Sequence, residues 1–477
     1  MITSPAFAGK RYAVLGLARS GVATVQALLA SGAEVVAWDD REEARAQILP
    51  QRGRGTAQGA VEGYLPSDSA IPFHHSADGP MSQIDLSGRQ VYLDVPLKGE
   101  ERLSLANPLE IDLADFEAVI VTPGLPLNKH PIAARAKAAN VPLIGDIELF
   151  AQTRASLPPH KVLGITGTNG KSTTTALIHH IIKTAGIPAT LGGNIGLPIL
   201  GQEPLPTGGV YVLELSSYQI DLTRSLDCDV AVLLNITPDH LDRYDGFAGY
   251  AASKARLLAM QSADHAAVIA TEDDETRTIA ASVGERLIAV ASSSITDQSR
   301  WPTLQGPHNA QNAAVAIAVA RTLGVSEDLI AQALETYPGL PHRTERIRDR
   351  NGVLFVNDSK ATNPASSYFA LASYPAIHWI LGGLPKGDNL DECAPMFDHV
   401  RAAYTIGEAG PMFARLLRAA GKPVIESETL PRAVNDAAAA ARPGEVVLLS
   451  PACASFDQFK DYEARGEAFR AAVEALA

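Results

Sequence analysis

Lys171 follows Gly170 and precedes Ser172 and Thr173 inside TGTNGKSTTT, residues 166–175. A cation, adjacent hydroxyls and glycines that let the backbone curl around an anion together make a phosphate cradle. The run before it (KVLGI, 161–165) is apolar and the run after it has helical spacing. Strand, glycine-rich turn and helix is the order that points backbone N–H groups and a helix N-terminus at phosphates. The general pattern asks for a glycine, four residues, then Gly-Lys-Ser/Thr. Here Ile165 occupies the first glycine position, flanked by Gly164 and Gly167. The bland alternative is a glycine-rich turn with an incidental lysine.

Nucleotide phosphates call for Mg²⁺, which neutralises charge as the terminal phosphoryl group leaves. Ser172 and Thr173 are placed to hold it, and Glu214, at the carboxyl end of the apolar run GVYVLELSS (209–217), is the candidate carboxylate. A charge inside such a run is costly without a partner; a solvent-facing strand end is the other reading. NITPDHLDRY (235–244) packs Asp239, His240 and Asp242 into one loop after the next strand. In open α/β sheets ligands bind at that end. Asn309 and Asn312 lie one turn apart on a helix starting at HNAQN. They could read a nucleotide base, or Asn309 could simply cap its helix. Further on, Arg343 precedes NDSKATNP (357–364), which carries Asp358, Lys360 and Thr362; LGGLPKGDN (381–389) carries Lys386 and SPACASFDQF (450–459) carries Ser455. Three strand-end loops offering basic and hydroxyl groups suit a carboxylate-bearing substrate.

These residues need parallel sheets to hold them. The 477 residues suffice for about three domains. RYAVLG (11–16), GLARSG (16–21) and EVVAWDD (34–40) read as strand, helix start and strand. Gly16, Ala18 and Gly21 loosely fit a dinucleotide-type turn, with Asp39 at the distance that binds sugar hydroxyls. EAVIVTPG (117–124) adds a strand and GDIELFAQ (145–152) a helix, before LPPH (157–160) breaks the chain. Residues 49–112 lose all pattern except the strand-like QVYLDV (90–95), which reads as a surface excursion. A central block holds strands at 209–217, 229–237 and 266–271 and ends near YPGLPHR (337–343). A last block holds strands at 353–358, 378–383, 402–407 and 445–450. The expectation is three α/β domains: 1–157, Rossmann-like with the 49–112 insertion; 158–340, a doubly wound sheet with the phosphate loop; and 341–477, Rossmann-like again.

Composition narrows the function classes. The chain is 46% apolar and 19% charged with a net charge of −13, and its basic residues form no long runs, which argues against nucleic-acid binding. Three distant cysteines, Cys228, Cys393 and Cys453, form neither a metal-ligand spacing nor a disulfide framework and suit a reducing compartment. The N-terminus lacks the signature of a signal peptide and no apolar run is long enough to span a bilayer. The chain is expected in the cytoplasm.

Taken together, GDIELF, GITGTNGKSTTT, GGNIGLP, LELSSYQ, NITPDHLDRY, YAASKARL, GLPHR, NDSKATN, LGGLPK and LLSPACASFDQFKDYEARG resemble the Mur ligases, from about residue 117 to the end, with a weaker match over 9–41. The resemblance implies ATP-driven amide formation through an acyl phosphate in peptidoglycan precursor synthesis. Within the family the motifs point to the type that adds D-glutamate to UDP-N-acetylmuramoyl-L-alanine. It implies a monomer with two Mg²⁺ ions. Gly167, Thr168, Asn169, Gly170, Lys171, Ser172, Thr173 and Thr174 would hold ATP phosphates, Asn309 and Asn312 the adenine, and Arg343 and Asp358 the ribose and phosphates. Ser172, Thr173, Glu214, His240 and a carbamylated Lys254 would serve the metals, although Lys254 by itself reads as a solvated helix lysine. Lys171, His240, Lys254 and Lys360 would be the catalytic groups. Lys360, Thr362, Lys386, Ser455 and Tyr462 would form the glutamate pocket; Asn194, Ser216 and His240 would touch the muramoyl part; Ser20, Asp39, Arg41 and Gly124 would surround the uridine diphosphate. Two departures stand out: Ala18 where the first turn usually has glycine, and Tyr462 where phenylalanine is usual. Related ligases that add another amino acid or L-glutamate, or extend folates, are the near alternatives. A nicotinamide-dependent dehydrogenase built on GLARSG and Asp39 is the remote one, and a non-catalytic scaffold is the third.

Overall fold

The computed structural model describes residues 1–48 and 100–476. The strand-like piece 90–95 therefore lies outside the described residues. Among the described residues seventeen strands form three sheets. The first holds β1 (Arg11–Leu15), β2 (Glu34–Trp38), β3 (Leu103–Leu105), β4 (Ala118–Val121) and β5 (Leu143–Ile144), in the order β3-β2-β1-β4-β5. β3 corrects the expectation of a patternless 49–112: three residues pair in parallel with β2, too few to show a period. The second holds β6 (His160–Thr166), β7 (Ala189–Gly193), β8 (Gly209–Glu214), β9 (Val230–Leu233), β10 (Ala266–Ala270) and β11 (Leu287–Val290), ordered β11-β10-β9-β6-β8-β7. The third holds β12 (Glu345–Arg350), β13 (Val353–Asn357), β14 (Ile377–Gly382), β15 (Val400–Ile406), β16 (Val424–Glu428) and β17 (Val446–Leu449), ordered β12-β13-β17-β14-β15-β16.

Every pairing is parallel except β12 with β13. The inner strands β4, β8, β9, β14 and β17 are buried along their whole length, because helices cover both faces, and this is why they read as unbroken apolar runs. β12 (ERIRDR) carries charges on an edge, the usual defence of an open strand against unwanted pairing.

One apolar cluster runs from Ile2 and Val14 through Phe150 to Tyr211 and Leu257, so the first and central sheets share a core. The third sheet is flanked by two clusters whose buried residues all lie within 353–473. In each sheet the order reverses beside a strand whose carboxyl end opens a crevice: β1 lies between β2 and β4, and β6 between β9 and β8.

Candidate active site

The phosphate loop leaves β6 at the switch point of the central sheet, and the helix Lys171–Thr184 follows. Gly170 has φ +81, and a Cβ there would come within 2.4 Å of Asn312 Oδ1. Only glycine fits, on both backbone and space. The loop is tied down from the next strand end: Asn169 N donates to Asn235 Oδ1 at 2.8 Å and Thr168 Oγ1 to the Thr237 carbonyl at 3.2 Å. Lys171 curls back, its Nζ 3.0 Å from the Gly167 carbonyl and 2.8 Å from that of Thr168. Burial holds its amine below the ordinary lysine range, with Glu214 acting against that shift.

Two buried charges flank the loop. Glu214 is 1% exposed; its Oε1 accepts from Asn194 Nδ2 at 2.7 Å, whereas Oε2 is buried with no partner. A buried carboxylate oxygen without a donor is costly, and a cation beside the phosphates would satisfy it. The donor set therefore fits Mg²⁺. Among the described residues no three His, Cys, Asp or Glu side chains converge on one point. Lys254 corrects its reading as a solvated lysine. It is 1% exposed, its Nζ donates to the Gly167 carbonyl at 2.7 Å, and it sits 4.5 Å from the centroid of the Tyr250 ring. Burial first, then the nearby Lys171 charge, pushes its amine down to about 7.

His240 lies on the next loop with a left-handed backbone (φ +52), half exposed, 3.5 Å from Asp239 and tilted against Tyr218 at 5.1 Å. Asn309 does not cap its helix: Gly306 is the N-cap of Pro307–Thr322. Instead Asn309 accepts from Asn312 Nδ2 at 3.1 Å, and Thr174 Oγ1 donates to Asn312 Oδ1 at 3.1 Å. The pair thus braces the phosphate-loop helix, beside a cleft.

That cleft, about 510 Å³, opens between the central and third sheets. Gly170, Thr173 and Asn312 line one wall; Arg343, Asp358 and Lys360 line the other. Arg343 Nη2 crosses it to donate to Ser172 Oγ at 3.0 Å. Asp358 accepts from Ser450 Oγ at 2.8 Å and from Thr344 N at 3.1 Å. Burial, outweighing these bonds, pushes its carboxyl up to about 7. Lys360 rests 3.8 Å from the centroid of the Tyr462 ring, its amine lowered mainly by burial. Lys386 Nζ stands 3.5 Å from Thr362 Oγ1. Ser455 is buried, and its carbonyl starts the turn by accepting from Phe459 N at 2.8 Å.

The residues expected around a uridine diphosphate are more self-contained. Asp39 accepts from Leu17 N at 2.8 Å, Arg41 N at 3.0 Å and Arg41 Nε at 3.1 Å, so its carboxylate organises the first turn and is already engaged. The Ser20 carbonyl accepts from Thr24, and the Gly124 carbonyl from Arg243. Ser216 caps its own short helix in a reciprocal box with Gln219.

Several participants escaped the sequence reading. His308 and Phe369 face each other across the cleft at 5.4 Å between ring centroids. Arg465 is 1% exposed and binds oxygens of Ser359, Cys453 and Ala454 at 2.8–3.1 Å, tying together the loops after β13 and β17. The spacing of Arg465 with Phe469 and Val473 on one buried helix face was the available signal for it.

Comparison with known proteins bears on this geometry. Residues 165–304 match the model of the Mur ligase middle domain, and residues 342–453 that of the Mur ligase glutamate ligase domain. A UDP-N-acetylmuramoylalanine–D-glutamate ligase of Novosphingobium aromaticivorans is 60% identical over all of this chain and 97% of its own length. One from Zymomonas mobilis is 54% identical over the whole of both chains. The chain belongs to the Mur ligase family. It is accordingly an ATP-dependent, ADP-forming amide ligase. A solved structure of UDP-N-acetylmuramate–alanine ligase from Thermotoga maritima shares the fold, with a TM-score of 0.55 at 17% identity over 98% of this chain and 99% of that one. The MurF ligase of the same organism, solved with ADP, has a TM-score of 0.53 at 19% identity over 76% and 90%. Among the described residues of this Mur ligase no helix is long and apolar enough to cross a membrane.

Proposed function

We propose that this Mur ligase joins D-glutamate to UDP-N-acetylmuramoyl-L-alanine in the cytoplasm, as a monomer, during peptidoglycan precursor synthesis. The supporting observation is the cleft that sets Gly170, Ser172 and Thr173 of the phosphate loop opposite Arg343, Asp358 and Lys360, in a chain 54–60% identical throughout to ligases named for this reaction. Unit 1–157 takes the nucleotide sugar through Ser20, Arg41 and Gly124, with Asp39 shaping the turn. Unit 158–340 takes ATP, with Asn309 and Asn312 toward the adenine. Unit 341–477 takes glutamate through Lys360, Thr362, Lys386, Ser455 and Tyr462.

The chemistry follows from the charges. A carboxylate is a poor acyl donor, because its leaving group would be oxide. An alanyl carboxylate oxygen attacks the γ-phosphorus of ATP; ADP departs and an acyl phosphate remains. The glutamate amine then attacks the acyl carbon, phosphate leaves with the bonding pair, and the amine gives up a proton. One difficult step becomes two easier ones. The chain must hold three anions together, so its contribution is positioning and positive charge. Lys171 releases its own loop carbonyls to meet the phosphates. Asn194, Ser216 and His240 border the muramoyl part. Mg²⁺ held near Ser172, Thr173, His240 and the free oxygen of Glu214 would supply charge neutralisation of the phosphates. Lys254 is buried beside them with a weakened hold on its proton, the state in which an amine captures carbon dioxide, and the carbamate would replace a cation with an anionic oxygen donor.

The test is ADP release with UDP-N-acetylmuramoyl-L-alanine and each glutamate enantiomer. D-Glutamate alone is expected to support turnover. Equal rates with L-glutamate, or turnover only with another amino acid, would replace this reading by that of a neighbouring ligase. Lys254→Ala is expected to abolish activity, and full activity in that variant removes the carbamate.

A further inference from the structure

The turn that carries His240 is supported from outside its own sheet. Asn128 Nδ2 donates to the Asp242 carbonyl at 2.9 Å. Arg243 reaches the other way, Nη2 to the Leu125 carbonyl at 2.9 Å and Nη1 to that of Gly124 at 3.4 Å. All three first-sheet partners lie in the loop after β4. The guanidinium of Arg243 also covers the Tyr218 ring, 4.3 Å from its centroid, and His240 leans on the same ring at 5.1 Å. Two carbonyls of the first unit, one guanidinium, one aromatic ring and one imidazole therefore form a continuous line of contact. At its end stands a non-glycine residue with φ +52. A left-handed backbone at such a residue persists only where its surroundings hold it. Here part of the hold is borrowed from the neighbouring unit.

We propose that Arg243 is a positioning residue that ties the His240 turn to the 124–128 loop, so that a ligand ordering that loop also sets His240 and the nucleotide-sugar and ATP sites become energetically coupled. The inference rests on the proposed function, in which the first unit receives the nucleotide sugar. Arginine is the side chain for the task. Its rigid planar fork aims separate N–H groups at two carbonyls while its flat face covers a ring, a fixed geometry that the single ammonium of a lysine does not reproduce. Coupling of this kind needs an element with two arrangements that both sites bias, and the strained turn is that element.

The experiment is calorimetric titration of the intact chain with UDP-N-acetylmuramoyl-L-alanine, with and without a non-hydrolysable ATP analogue. In the wild type each ligand is expected to tighten the other by about five- to tenfold, the lower part of the usual range for coupled sites. Arg243→Lys and Arg243→Gln are expected to bring that factor close to one, with the affinity for the ATP analogue alone unchanged. Tyr218→Phe, which keeps the ring, is expected to retain the coupling, and Tyr218→Leu to lose it. A coupling factor preserved in Arg243→Lys overturns the inference, even if that variant melts earlier, because Arg243 would then be adhesive only. So does a wild type that binds both ligands independently. A wild type that binds ATP analogue but no nucleotide sugar fails differently, because it removes the proposed function as well.

Discussion

The two joints of this Mur ligase are built from different materials. Between the first and central sheets the joint is dry at its core: Ile199 and Leu200 pack with the helix Arg19–Ala30 inside one shared apolar cluster, and Ile2 N donates to the Leu200 carbonyl at 3.0 Å, while the polar contacts of Arg243 and Asn128 lie outside that cluster. Between the central and third sheets it is wet. A cleft of about 510 Å³ separates the walls, bridged by the Arg343–Ser172 bond and the His308–Phe369 contact. Dry packing resists relative motion, while a polar joint of small area permits it. The difference leads us to expect that the first two units move as one body and that the third closes on them once ATP and substrate are bound, a compaction that small-angle scattering would read.

The strongest way to break that comparison is at Arg343. Arg343→Ala is expected to lower kcat/KM about a thousandfold, the upper range for one donor acting on developing charge, with the melting temperature unchanged. Steady-state ADP release and a thermal scan check it. If the scan drops and turnover survives, the wet joint is structural glue.

At the dry joint the signs reverse. Leu200→Ala empties a fully packed site and is expected to cost about 3 kcal/mol of stability. The urea midpoint falls and kcat holds. A variant that keeps its midpoint but loses turnover would show that the first two units also move against each other.

How much of this was legible beforehand depends on what each residue needed. Strand ends that close unbroken apolar runs, such as Glu214 at the end of β8 and Asn357-Asp358 at the end of β13, announce themselves locally, because burial on both faces leaves no alternation to misread. The phosphate loop does so too, through Gly170 and its flanking period. The charged edge strand β12 and the three-residue β3 do not: one hides its apolar positions among arginines, and the other is shorter than any period. Lys254 and Arg465 are the instructive misses. Helical spacing tells which face a side chain occupies, but not what distant segment covers that face. The Gly167 carbonyl over Lys254 and the Ser359 and Cys453 carbonyls around Arg465 arrive from 87, 106 and 12 residues away. Asp39 errs in the other direction. It stands where a ligand-binding acid would, yet spends its oxygens on its own turn.

The smallest expected effect distinguishes the joints by proton uptake. Each holds a buried acid: Asp146, whose carboxyl burial pushes up to about 6, beside the dry joint, and Asp358, pushed up to about 7, in the wet one. Both sit above the ordinary value near 3.9. From roughly pH 4 upward the folded chain therefore keeps a proton that the unfolded chain releases, and the stability this contributes is lost as pH rises through the folded value. The slope for one group is at most about 1.4 kcal/mol per pH unit. Asp358→Asn is expected to remove the part of the decline that extends toward pH 7, and Asp146→Asn the part that ends near pH 6. Urea titrations across pH 4.5–7.5, about one point every half unit, measure both. In the proposed function a non-hydrolysable ATP analogue occupies the cleft that Asp358 lines. It is expected to alter the Asp358 component and leave the Asp146 component untouched. Equal responses of the two acids to nucleotide would mean that the dry joint feels the ligand as strongly as the wet one, and the contrast between them would fail.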